Sequence, residues 1–285
     1  LGCLWIDLPG PHPDETIFAH ALFPGQPGGP AWSLDVGERR LPVMLMPYLG
    51  ALKAWLYAPV VALLGTGPLA LRLPPVLAGA AALARLFVLA ERWFDRRTAH
   101  LAVWLTATDA TYLWTARCDW GPVALQRLLG LGGCGLVYWW ARRGGGWRLF
   151  LGFFAFGLGL FDKLSFHWLL AGDAAAVVLV FPAEARRLAR PLAAATAAAG
   201  LAAGAAPYLA YRALAQIPGL DLAWETAPDA YWRKLGMLLG ALDGTAVGGF
   251  LFAGQGSVRS LLPWALAVAL PFALWRGSRA ARFAA

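Results

Sequence analysis

Residues Leu73 to Glu91, LPPVLAGAAALARLFVLAE, make an apolar run of membrane-crossing length. A helix needs about 20 such residues to span roughly 30 Å of hydrocarbon. Working outward, five more runs qualify, at 100–116, 121–140, 164–182, 192–212 and 259–275. A seventh, 149–161, is short for a crossing and stops at the charged pair Asp162-Lys163; an eighth, 47–65, is long enough but contains Lys53 and Pro59. These runs predict an all-α fold, a polytopic transmembrane helix bundle whose outer-face loops carry juxtamembrane helices.

Composition agrees. Hydrophobic residues make up 59% of the chain and charged residues 14%, where a soluble domain has about a quarter charged. Mean hydropathy is +0.57. The net charge of +8 could suggest nucleic acid, but the arginines gather in short clusters between apolar runs, as in cytoplasmic loops of membrane proteins, so nucleic-acid binding is excluded. Cys3, Cys118 and Cys134 have neither metal-ligand spacing nor a disulfide framework, and read as packing residues. Three lysines against 21 arginines, with abundant Ala and Gly, point to a GC-rich bacterial gene and hence a bacterial inner membrane. The chain starts Leu1-Gly2-Cys3-Leu4 and enters a loop at once, so a first transmembrane helix or signal anchor is expected upstream.

The positive-inside rule orients the runs. Arg92/Arg96/Arg97, Arg142/Arg143/Arg148, Arg186/Arg187/Arg190 and Arg276/Arg279 are all cytoplasmic if 149–161 crosses as a short helix and forms a hairpin with 164–182. Arg117, Asp119, Asp162, Lys163 and the loop of about 213–257 then face outward. Asp14 and Glu15 join them if 47–65 lies along or dips into the membrane. The organisation expected is a first outer loop with its juxtamembrane segment (1–72), a helix bundle (73–212), a second large outer loop (213–257) and a last helix with a basic tail (258–285). In the outer loop, Pro228-Asp229 starts a helix whose Tyr231, Leu235, Leu238 and Leu242 share one stripe, fit for the membrane interface or for packing on the bundle as an ordinary loop helix. The Ala-rich run from Ala193 to Ala206 is a small-residue face suited to close helix packing.

Few residues offer chemistry. Asp14 and Glu15 follow Pro11-His12-Pro13, which predicts a rigid, extended backbone there. Beside a low-dielectric surface a carboxylate can serve as general base, or hold a divalent cation with His12 or His20; two acids in a solvated loop is the alternative. Arg72 opens Arg72-Leu73-Pro74-Pro75 at the mouth of the first clear helix, where it can clamp a phosphate or snorkel to headgroups. Arg117 and Asp119 can pair and cap the next helix. Asp162-Lys163 faces a polar cavity if it lies inside the bilayer, since each charge there costs roughly 2.5–3.5 kcal/mol. The glycines of 130–135 lie inside an apolar span, so they form no phosphate-cradling loop.

In this order and spacing, the chain resembles the GT-C superfamily of polyprenyl-phosphate-dependent glycosyltransferases, in the branch of protein O-mannosyltransferases and lipid A aminoarabinose transferases. The residues that carry the resemblance are Asp14-Glu15, the Pro47-to-Gly65 stretch, Arg72-Leu73-Pro74, Arg117-x-Asp119 and Gly157-x-Gly159-Leu-Phe-Asp162-Lys163. It covers about residues 10–190. The resemblance implies Asp14 as catalytic base with Glu15 and Asp119 assisting, and Arg72, Lys163 and Arg117 near the lipid phosphate. It implies inverting transfer of a sugar from a polyprenyl phosphate to a lipid, glycan or protein acceptor on the outer face. A divalent cation at Asp14 and Asp119 is compatible with it; no dedicated metal site or other cofactor is implied. Where the family has His-Pro-Pro or Lys-Pro-Pro, this chain has Met46-Pro47-Tyr48, which leaves Lys53 as the substitute cation. Family members are commonly longer, so the chain reads as a fragment. Two other classes stay open, a secondary transporter with a charged midplane site and a non-catalytic lipid-binding membrane subunit.

Overall fold

The structure, a computed structural model, describes residues 3–4, 6–8, 10, 12–21, 31–37, 39–118, 122–215, 228–251, 259–261, 263–265 and 267–268. Helix α1 (Pro13–His20) precedes a small antiparallel sheet of β1 (Trp32–Val36), β2 (Arg39–Met46) and β3 (Leu49–Gly50). Then follow α2 (Leu52–Leu64), α3 (Pro68–Trp93), α4 (Arg96–Thr108), α5 (Ala110–Arg117), α6 (Val123–Arg143), α7 (Gly146–Asp162), α8 (Phe166–Val180), α9 (Pro182–Leu188), α10 (Pro191–Leu214), α11 (Pro228–Asp243) and α12 (Thr245–Leu251). The molecule is an all-α membrane helical protein with this one small sheet among its described residues. By length and hydropathy α3 and α10 can each cross a membrane, and α8 with α9 passes the same test only as a pair bent by 118°, the shape of a broken span or a re-entrant loop.

The sheet is the element that reading for apolar runs did not anticipate. Residues 47–65 divide into a turn, β3 and a 13-residue helix. At 1.5 Å per residue α2 is about 20 Å long, too short for the hydrocarbon layer. Trp55 on α2 donates from Nε1 to the Pro42 carbonyl at 2.7 Å, tying helix to strand. Val43, Met44 and Leu52 then pack with Leu125, Phe161 and Tyr211, so the sheet sits on one end of α6, α7 and α10.

Two expected boundaries are corrected. The run 100–116 is not one helix: Asp109 is extended (φ −67°, ψ 128°) and its Oδ1 accepts the Tyr112 N–H at 2.8 Å, ending α4 and capping α5. A carboxylate at that point competes with helix continuation. The first long helix starts at Pro68, not 73, because Gly65 takes φ +77° and Pro68 sits at the first helical position, where a missing N–H costs nothing. The break at 162–165 lies where the charges placed it. Lys163 is extended and bridges Leu49, and the Leu164 N–H donates to the Tyr48 carbonyl at 2.9 Å, so this turn is pinned to β3. The expected helix at 259–275 lies mostly outside the described residues.

Close packing between α7 and α10 fixes the bundle. A Cβ added at Gly157 would collide with the Leu201 carbonyl, one at Gly200 with the Phe150 carbonyl, and one at Gly204 with the Phe154 carbonyl. This register makes the two helices parallel, with backbones in direct contact, the small-residue packing open to helices in lipid. Gly133 of α6 likewise receives the Phe156 ring. Gly157→Val is expected to destabilise the protein by about 3 kcal/mol, because the obstacle is backbone and cannot rotate aside. Thermal unfolding in detergent measures it, with Gly132→Val, which meets nothing within 4 Å, as the mild control.

The bundle has two chemically distinct ends. At one, Arg142 and Arg143 close α6, Arg148 lies in the first turn of α7, and Arg187 on α9 stacks on Trp140 while donating to the Ala141 carbonyl at 2.7 Å. The opposite ends of α6 and α7 carry the sheet, the Lys163 turn and the residues described next.

Candidate active site

The sequence His12-Pro13-Asp14-Glu15 starts a helix. The Glu15 and Thr16 N–H groups both donate to the His12 carbonyl, at 2.9 and 3.3 Å. Glu15 Oε2 accepts the His12 N–H at 2.7 Å, and His12 Nδ1 accepts the Asp14 N–H at 3.2 Å. This is a capping box with histidine in the place of serine or threonine and proline at the first helical position. The expectation of an extended backbone is therefore corrected: both acids lie in the first turn of α1. Pro13 favours the helix here because it occupies the one position where its ring and missing N–H do no harm.

One turn of helix sends the two carboxylates to different fates. Glu15 is 2% exposed and Arg72 1%. Arg72 Nε donates to Glu15 Oε1 at 2.7 Å and Nη2 to Oε2 at 2.8 Å, a bidentate pair. Its Nη1 donates to the Ile6 carbonyl at 2.8 Å and Nη2 also to that of Gly10 at 3.1 Å. Every nitrogen of the guanidinium is engaged by the protein. Arg72 thus stands in the second turn of α3, not at its mouth, and anchors α1 and the preceding loop. Asp14 is half-buried, and its carboxylate accepts no hydrogen bond among the described residues.

The other expected residues surround this pair unevenly. Arg117 ends α5, donates from Nη2 to the Leu8 carbonyl at 2.7 Å and lies 5.4 Å from the Trp114 ring, so it holds the same loop as Arg72. Asp119 lies outside the described residues. Lys53 is 1% exposed, with Nζ 3.3 Å from the centre of the Phe18 ring, closed beneath α1. Lys163 is half-buried at the turn between α7 and α8, and its carbonyl accepts from Gln126 Nε2 at 3.2 Å. Among the described residues no group of three or more His, Cys, Asp or Glu side chains is arranged to hold a metal ion. Sequence reasoning missed His12 as a cap and Arg127, one turn inside α6; a cation within an apolar run was the available signal for the second.

The arrangement places a carboxylate in a helix turn next to the buried Glu15–Arg72 pair, at the end of the bundle that carries Arg117 and Lys163. Comparison with known proteins bears on this geometry. Residues 50–211 match the sequence model of the family described as dolichyl-phosphate-mannose-protein mannosyltransferase. No curated protein and no solved structure matches. The match takes in Lys53, Arg72, Arg117, Asp119 and Lys163, while α1 with Asp14 and Glu15 precedes it. Running from β3 through α10, it spans more than half the chain together with the helices that hold the cations. The chain belongs to the dolichyl-phosphate-mannose-protein mannosyltransferase family and is a membrane glycosyltransferase of the GT-C kind.

Proposed function

We propose that this glycosyltransferase moves a sugar from a polyprenyl-phosphate carrier to an acceptor hydroxyl at the extracytoplasmic face of a bacterial inner membrane, with inversion and with Asp14 as base. The observation that carries this reading is the divergence of the two adjacent acids: Glu15 is locked to Arg72, while the Asp14 carboxylate accepts no hydrogen bond among the described residues and is partly exposed. A base must be positioned by its surroundings yet keep its own lone pairs for the substrate. In the reaction, Asp14 takes the acceptor hydroxyl proton as that oxygen forms a bond to the anomeric carbon. The bond from that carbon to the phosphate oxygen breaks, and the carrier leaves as a polyprenyl phosphate. Because the leaving group is already an anion, catalysis reduces to positioning and charge compensation. Lys163 and Arg117 serve the phosphate, Asp119 assists, and Glu15 with Arg72 holds the base in place. The basic clusters at the far ends of α6 and α7 support an outward-facing site.

The experiment is transfer from a synthetic polyprenyl-phosphate sugar by the full chain in proteoliposomes, with the anomeric configuration of the product read by NMR. The expected product has the opposite configuration to the donor. A retained configuration would exclude single displacement with Asp14 as base, and donor binding without transfer would favour a lipid-binding subunit.

A further inference from the structure

Two contacts show that α3 and α6 run side by side in the same direction. A Cβ added at Gly135 would meet Leu89 Cδ2 at 3.5 Å, and one turn further on the rings of Trp93 and Tyr138 pack edge to face with centres 5.9 Å apart. Beside this line of contact lies a groove lined by Arg85 and Leu89 of α3 and by Leu131, Gly132, Gly135 and Trp139 of α6. It leads toward the arginine-rich end of the bundle, away from α1 and the sheet. Arg85 stands about 12 Å before Trp93 along the axis of a helix long and apolar enough to cross a membrane.

Arg85 is exposed and forms no hydrogen bond or ion pair with a described residue. Glu91, the nearest acid in sequence, follows at a spacing that puts it on a different face of α3. A cation set in hydrocarbon is costly, and such residues turn to a polar partner or to lipid headgroups. The glycines of α6 meanwhile separate into two kinds. A Cβ at Gly130 would press on Leu169 at 3.0 Å and one at Gly133 on the Phe156 ring at 2.3 Å, so helix packing requires both. At Gly132 it would meet nothing within 4 Å, and at Gly135 only the ordinary contact with Leu89. Glycine inside a helix is destabilising relative to alanine, and packing does not account for it at these two positions. Their effect is to leave the floor of the groove open beside Arg85.

The mouth of the groove is also basic. Arg92 follows Val88 at i+4, and Arg143 follows Trp139 at i+4, so each helix brings a further exposed arginine to the same side. Arg148 and Arg187, by contrast, are engaged by the carbonyls of Gly144 and Ala141. An apolar floor with a cation set in it and two more at its mouth matches a molecule with a negative head and a hydrocarbon tail.

We infer that this groove binds an anionic phospholipid from the leaflet at the arginine-rich end, the cytoplasmic leaflet by the positive-inside rule. The lipid phosphate pairs with the Arg85 guanidinium, whose fork can take two oxygens at once. An acyl chain lies over Gly132 and Gly135 against Trp139. The site is separate from the one built on Asp14, toward the other end of α3 and α6, and does not depend on Asp14 being the base.

Native mass spectrometry of the full-length protein, stripped of lipid and then supplied with phosphatidylglycerol or with phosphatidylcholine of the same chains, tests this. The wild type is expected to retain one phosphatidylglycerol at least about fivefold more tightly than phosphatidylcholine, and to gain thermal stability from the first lipid only. Arg85→Gln should remove the preference, while Arg85→Lys, with the charge but not the planar fork, should keep part of it. Gly132→Leu leaves every cation in place but fills the floor, and should weaken phosphatidylglycerol binding by about fivefold. Arg186→Gln, on α9 and outside the groove, should leave binding unchanged. A wild type that holds both lipids equally overturns the inference, as does wild-type binding by either Arg85→Gln or Gly132→Leu. An equal loss in Arg186→Gln would reduce the effect to the diffuse charge of that end and also overturn it. Displacement of the bound phosphatidylglycerol by equimolar polyprenyl monophosphate would make the groove a carrier site, with the same consequence. Should Arg85→Gln fail to fold, Arg85→Lys and Gly132→Leu decide: wild-type binding by both refutes the inference.

Discussion

Asp14→Asn is expected to lower sugar transfer by about a thousandfold, inside the range for loss of a positioned general base. The substitution keeps the shape of the side chain and removes its basicity. The helix turn beneath it should survive, because the capping interactions use the Asp14 N–H and the Glu15 carboxylate, not the Asp14 side chain. Turnover in proteoliposomes gives the effect, and an unchanged melting temperature shows that folding is not its source. Near-normal turnover would reduce Asp14 to a solvated residue at a helix start.

The second large effect is on stability. Arg72→Ala leaves the Glu15 carboxylate buried without its bidentate partner and releases the carbonyls of Ile6 and Gly10. Breaking one side of a buried ion pair costs about 3–5 kcal/mol, mostly from the stranded charge. Arg72→Lys should recover only part of this, since an ammonium cannot reproduce the planar fork. Glu15→Gln should cost a comparable amount, because the same carboxylate also accepts the His12 N–H. Adjacent acids on an extended strand would make Glu15→Gln mild; burial in a helix turn reverses that order. A double-mutant cycle with Glu15→Gln and Arg72→Met measures the coupling. A coupling near zero would mean that the pair holds nothing together. Asp14→Asn should then lower turnover without changing stability, and Arg72→Ala should change stability first. Those separate signatures distinguish the base from its anchor.

What the sequence alone determined follows from solvent. A chain that is 59% hydrophobic with arginines clustered between apolar runs has to be a membrane helix bundle, because lipid leaves the backbone no other partner than its own helix. The break at Asp162-Lys163 and the close-packing face from Ala193 to Ala206 were legible for the same reason: charge and side-chain size are local properties. The residues Asp14, Glu15, Arg72, Arg117 and Lys163 could be named from type and order. Their arrangement was not local. Whether Pro11-His12-Pro13 leads into an extended segment or a helix depends on one histidine taking the N-cap position and Glu15 reaching back to it. That Glu15 rather than Asp14 meets Arg72 depends on a contact spanning 57 residues. The sheet was hidden because β2 carries Pro42 and abuts an apolar run, so a length rule absorbed its end into a membrane segment. The break at Asp109 turned on a side-chain cap that competes with a helix at nearly equal energy. Composition selects the solvent for each segment, but a buried charge takes its partner from whatever the packed helices bring within about 3 Å, and only the tertiary structure decides which residue that is.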